Sequence, residues 1–169
     1  MFEVYVLVER KKPAIVRIFA ICMLVMGIFG ILCSCITPIF MMPGFLFIVI
    51  WVLLWFFNNV EYEYSYFDGD VRFAKIMNKS KRKRLKGYNI DAVEIIAPAG
   101  DRSLYKYTQD SSVKKVDYTS HEKNVPYYQM AARIEDQGVV LISFEPDEKY
   151  LDAICVKYPQ KVIRRKAES

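Results

Sequence analysis

The residues best able to do chemistry in this sequence are six cations packed into eight positions, Lys79-Ser80-Lys81-Arg82-Lys83-Arg84-Leu85-Lys86. They carry +6 with no acid among them, while the whole chain carries +5. Everything else therefore sums to −1, and the basic character is confined to one segment. A protein that coats nucleic acid spreads its charge more widely. A short cluster of this kind instead fits anionic lipid headgroups or an acidic partner, at about 1 kcal/mol per basic residue close to a membrane surface. The contact set to test is Lys79, Lys81, Arg82, Lys83, Arg84 and Lys86. The competing explanation is an edge strand whose Lys and Arg keep it from aggregating, with pairing to Glu61, Glu63, Asp68 and Asp70.

Other reactive residue types are sparse. His121 is the only histidine and lies in the polar stretch Ser120-His121-Glu122-Lys123-Asn124. A catalytic base needs a partner held by structure, and none is evident nearby. Cys22, Cys33 and Cys35 lie in an apolar run and Cys155 in a candidate helix, with no CxxC pair. One histidine and scattered cysteines do not make a zinc site. No phosphate-binding glycine loop or paired-carboxylate motif appears. The sequence predicts no catalytic, cofactor or metal residues, and no cofactor.

The elements that must position the basic run divide at Val60. Between Arg17 and Glu61 there is no Asp, Glu, Lys, Arg or His. A helix or strand of a soluble core needs a solvated face, whereas a bilayer span takes roughly 20 mainly apolar residues. The run is predicted to form two helices, 18–36 and 39–57, broken at Thr37-Pro38, each about 28 Å long at 1.5 Å per residue. Pro43-Gly44 is a second turn or a kink. Gly27, Gly30 and Ser34 share one face of the first helix and suit close packing on the second.

Arg10, Lys11, Lys12 and Arg17 precede the first span, Arg72 and Lys75 follow the second, and the hairpin tip has no cation. The positive-inside rule then predicts a multi-pass cell-membrane protein with both termini in the cytoplasm. Trp51 and Trp55 fit the cytoplasmic interface. A signal peptide ending near Leu32-Cys33-Ser34-Cys35 is the weaker alternative, because a second long apolar run follows at once. The segment 1–17 is expected to be cytoplasmic, and Val4, Tyr5 and Val8 in it leave helix and strand both open.

From Val60 the apolar period becomes two. Tyr62, Tyr64 and Tyr66 share a strand face, Asp68-Gly69-Asp70 is a hairpin turn, and Val71 to Met77 returns. A turn at Asn78, the basic run and a turn over Gly87 to Asn89 follow. Further strands are predicted at Val93 to Ala97, Leu104 to Thr108, Val113 to Tyr118, Tyr127 to Ile134 and Val139 to Phe144, with a turn at Asp136-Gln137-Gly138 between the last two. A helix over 146–158, with Pro146 at its first position, carries the stripe Tyr150, Leu151, Ile154, Cys155 and Tyr158. The tail 161–169 is basic and is expected to fray. The fold class is an α+β membrane protein: a two-helix transmembrane hairpin, then a mostly antiparallel β domain over 60–160 capped by a C-terminal helix.

This order is similar to that of the bacterial pleckstrin-homology-like domains, in the stretch EYEYSYFDGDVRFAKIMNKSKRKRL. It resembles more closely an uncharacterised family of two-span bacterial membrane proteins through YEYSYFDGDV, IMNKSKRKR, EIIAPAG, DYTS, FEPDEKYLDAI and YPQKV, which cover most of 60–162 in order. The resemblance implies a pleckstrin-like fold and no particular activity. The expected function is a membrane-anchored, non-catalytic binding or scaffold module at the cytoplasmic face. The alternative is an accessory subunit of a membrane enzyme or transporter complex. Expected partners are the lipid bilayer and a membrane protein, and not nucleic acid; nothing in the sequence sets the oligomeric state.

Overall fold

The computed structural model describes residues 4–57, 59–134 and 138–165. Two compact units divide the chain: Met1–Arg10 with Glu61–Ile76 and Arg82–Ser169, and Lys11–Val60 with Met77–Lys81.

The second unit is built on a helical hairpin of α1 (Ala14–Ser34) and α2 (Met41–Phe56). Helix α1 starts four residues before the predicted span, because Pro13 sits just ahead of its first turn, where a missing N–H costs nothing. The break falls at Thr37-Pro38 as expected. Thr37 is extended ahead of the proline, and a 3-10 turn over Pro38–Phe40 leads into α2. Pro43 is absorbed in the first turn of α2 and Gly44 is no turn at all. Gly44 is the point where the helix backbones touch. A Cβ on Gly30 would lie 2.7 Å from the Gly44 Cα, and one on Gly27 would lie 2.6 Å from the Ile48 side chain. At the base of the hairpin the Lys12 amine donates to the carbonyls of Leu54 and Trp55. Carbonyls in the last turn of a helix carry the negative end of its dipole, and a cation suits them. Most large apolar side chains of both helices point outward, among them Ile18, Phe29, Leu32, Met42, Phe45 and Phe56.

The first unit holds two four-stranded sheets. One has the order β1-β2-β3-β4, formed by Val4–Arg10, Val60–Phe67, Asp70–Met77 and Lys81–Asn89. The other has the order β5-β7-β8-β6, formed by Val93–Pro98, Tyr128–Ile134, Gly138–Phe144 and Lys114–Asp117. The open question of the N-terminus is thus answered: it is a strand. The β domain is not confined to 60–160, since it also takes in β1 from the far side of the hairpin.

The β2–β3 turn has Asp68 at φ 45° and Gly69 at φ 95°, the two left-handed positions that a tight two-residue hairpin requires. In the second sheet β7 runs antiparallel to β5 and β8, while β6 pairs β8 in parallel with Lys114 opposite Val140.

The core between the sheets is aromatic. Tyr64, Phe73, Phe144 and Tyr150 meet edge to face at centroid distances of 5.6–6.2 Å, the arrangement that ring quadrupoles favour. The other side of the second sheet is also covered, by Leu104, Tyr107 and Val113 on Ala97, Ala131 and Leu141.

Several local expectations give way. Residues 104–108 are not a strand. Asp101 accepts the Ser103 N–H and starts a 3-10 turn that runs into α3 (Tyr105–Gln109). Gly87 to Asn89 are not a turn but the end of β4. The C-terminal helix α4 is Glu148–Lys157 rather than 146–158, because Asp147, not Pro146, caps it by accepting the Tyr150 N–H. Its buried residues are Tyr150, Leu151 and Ile154. The tail is partly tied down: Ile163 N–H donates to the Ile96 carbonyl, and Arg164 pairs with Asp152. The segment 166–169 and positions 135–137, including the predicted turn residues Asp136 and Gln137, lie outside the described residues.

Candidate binding surface

The basic run is carried by the β3–β4 hairpin. Asn78 and Lys79 take φ values of 51° and 55°, and the Ser80 N–H closes the turn on the Met77 carbonyl at 3.2 Å. Asparagine enters the left-handed region readily and lysine does not. From Lys81 the strand is the last in its sheet, and Lys81, Arg82, Lys83, Arg84 and Lys86 are exposed. Cations on an edge strand discourage pairing with another chain. Leu85 is half-buried, and Tyr88 turns into the core, where it packs on Phe73 at 6.0 Å.

Glu63 on β2 takes Arg82. Asp68 pairs instead with Lys157, and Asp70 with Arg72. Glu61 is buried. The structure brings Lys79 and Lys81 into the same compact unit as the helical hairpin. The link is reciprocal: Asn78 N–H donates to the Asn59 carbonyl at 2.9 Å, and Asn59 N–H donates to the Asn78 side-chain oxygen at 3.1 Å. Asn59 lies just past the end of α2, so the start of the basic strand sits at that exit.

His121 does have a structural partner. Its Nε2 hydrogen-bonds the Asp117 carboxylate and lies 2.9 Å from Arg10 Nη2, while Arg10 Nη1 donates to the Tyr62 hydroxyl at 2.7 Å. Burial works to raise the Asp117 carboxyl, but the Thr119 amide and hydroxyl and His121 outweigh it and hold it low. The nearest hydroxyls are already committed, Thr119 to Asp117 and Ser120 to Glu145. The cluster ties the end of β1 to the loop after β6. The sequence hid it because its members come from three distant stretches.

Two features of the surface had no sequence signal. A groove of about 530 Å³ runs between the β1–β2 edge and α4, lined by Val4, Tyr66, Phe67, Ala153 and Val156 with charged rims. A smaller depression of about 250 Å³ lies between β4 and β6. Among the described residues no group of three His, Cys, Asp or Glu could hold a metal ion.

A family model described as Bacterial PH-like domain (DUF6106) matches residues 2–164. No curated protein and no solved structure matches the chain.

Proposed function

This chain belongs to the bacterial PH-like domain family DUF6106, and from that premise we propose a membrane-anchored, non-catalytic binding or scaffold module whose basic β3–β4 hairpin meets anionic lipid at the cytoplasmic face. The observation that carries the reading is the reciprocal Asn59–Asn78 pair. It holds Lys79 and Lys81 in the same unit as the end of an apolar helix of spanning length.

Two further observations support the anchor and its orientation. The helices leave their large apolar side chains outside, the opposite of a soluble core helix. Strands β1 and β2 flank the hairpin in the chain and pair in one sheet, so both ends of a spanning hairpin emerge on one side. Arg10, Lys11, Lys12 and Arg17 lie at that end and the tip has no cation, which favours the cytoplasm. The alternative of an accessory subunit in a membrane enzyme or transporter complex draws support from the depression beside β6.

The test is hydrogen exchange on the full chain in nanodiscs of neutral or anionic lipid. Amides 79–84 are expected to exchange more slowly in anionic discs, and the protection is expected to fade as salt shortens the screening length, about 10 Å at 0.1 M. Replacing Lys81, Arg82, Lys83 and Arg84 by Gln should remove the difference and leave the melting temperature near that of the parent, because exposed charges add little stability. Equal exchange in the two lipids ends the lipid reading.

A further inference from the structure

His121 meets two partners through a single ring atom. Its Nε2 hydrogen-bonds the Asp117 carboxylate and lies 2.9 Å from Arg10 Nη2. A ring nitrogen either carries a proton and donates or bears a lone pair and accepts. Bare, Nε2 accepts from Arg10. Carrying a proton, it donates to Asp117 and takes nothing from a guanidinium, which can only donate. The two contacts are therefore alternatives, and the proton chooses between them.

The surroundings hold each group in place for that choice. Asp117 Oδ1 accepts the amide and hydroxyl of Thr119 at 2.9 and 2.7 Å, while Oδ2 faces the ring. Arg10 Nη1 donates to the Tyr62 hydroxyl at 2.7 Å, while Nη2 faces the ring. His121 itself has φ 59°, a left-handed backbone that L residues enter only at a cost, so the loop is bent to present this ring. Burial pushes the Asp117 carboxyl up, but Thr119 and His121 hold it low. It stays ionised across the range where histidines change charge, about pH 5 to 8. The other charged or titratable groups at the cluster are Tyr62 on β2, Glu145, which accepts from Ser120, and the chain neighbours Lys11 and Glu122.

The two contacts differ in what they join. Asp117 and His121 lie four residues apart, so their pair holds the loop to itself. Arg10 ends β1, and the next residue, Lys11, begins the unit of the helical hairpin. We propose that His121 is a proton switch at the entry to the hairpin: neutral, it ties the end of β1 to the β6–β7 loop, and protonated, it turns to Asp117 and frees Arg10. Arg10 Nη2 is 4.0 Å from the same Asp117 oxygen, and a protonated ring competes for it. Protonation also sets a second cation beside the guanidinium, so repulsion adds to the lost hydrogen bond. The freed state holds the extra proton, so its share grows as pH falls. The switch goes beyond lipid contact and does not depend on it.

The experiment is hydrogen exchange on the full chain in neutral nanodiscs at about pH 5.5 and about pH 7.5, either side of the ordinary histidine value. Each rate is divided by the intrinsic rate at its pH, and neutral lipid keeps the basic hairpin out of the measurement. Protection over residues 7–10 is expected to be about fivefold lower in acid, the worth of one hydrogen bond. The Thr119 amide should keep its protection, because Asp117 still accepts it. His121→Asn keeps a residue that tolerates the left-handed region and cannot titrate, so the acid loss should vanish at an unchanged melting temperature. Arg10→Gln keeps a donor and removes the second cation, so the loss should shrink. No acid loss in the parent, or an equal loss in either variant, would overturn the proposal. So would an equal loss over β7 and β8, since the domain would then be loosening as a whole.

Discussion

The helical hairpin and the β domain solve the same packing problem with opposite residues. In the hairpin, contact is made by absence. Gly27, Gly30 and Gly44 let two backbones approach until a single methyl would collide, and the large side chains face away. In the β domain, contact is made by bulk, with Tyr64, Phe73, Phe144 and Tyr150 filling the space between sheets. Water explains the difference. Removing rings from water stabilises a domain by roughly 25 cal/mol per Å² of apolar surface. In the bilayer, where we propose the hairpin lies, no such gain exists between helices, and close van der Waals contact must hold them.

The comparison can be broken at its strongest point first. Phe144→Ala should destabilise the β domain by about 3–5 kcal/mol, since the ring is fully buried and touches Tyr64, Phe73 and Tyr150. Thermal unfolding of the full chain in micelles, followed by near-UV circular dichroism, would show the loss. A small shift would mean the aromatic cluster is not the core.

Gly30→Ala tests the other half, because its methyl meets the backbone of Gly44 rather than a movable side chain. A loss of about 1–3 kcal/mol is expected, read as a lower helix melting temperature with the near-UV signal of the β domain preserved. If the alanine is tolerated, the helices do not need their closest contact.

The smallest effect concerns charge. The Tyr107 hydroxyl and the Arg133 guanidinium both donate to the Glu94 carboxylate and hold its carboxyl below the usual range. A depressed carboxyl stabilises the fold above its unfolded value, near 4.3, and the contribution is lost as pH falls through the lower, folded value. The melting temperature should therefore decline with acidification below about pH 5, and decline less steeply in Glu94→Gln. Identical slopes would show that Glu94 does not couple α3 to the second sheet.

Much of the molecule was written locally. A long uncharged run is long and apolar enough for a two-span hairpin, and the break before Pro38 is steric. Asp68-Gly69 and Asn78 mark their turns because few residues accept a positive φ, and alternate tyrosines mark a half-buried strand. These signals need only neighbours in the chain, and the structure keeps them. The basic run was legible as a charge cluster for the same reason.

What the tertiary structure alone decided involves pairs of segments far apart in sequence. Val4–Arg10 alternates weakly and fits either helix or strand by itself; it is a strand because β2, on the other side of the hairpin, offers it an edge. Lys114–Asp117 gives no hint of its parallel partner β8, since register in a parallel pair leaves no local trace. Residues 104–108 alternate like a strand but follow an Asp101 cap that starts a helix and turns Leu104 and Tyr107 onto the second sheet. The depression between β4 and β6 exists only because two sheets end there. Local sequence encodes backbone preference, but the choice between near-equal preferences falls to whichever partner can bury the side chains and satisfy the amides.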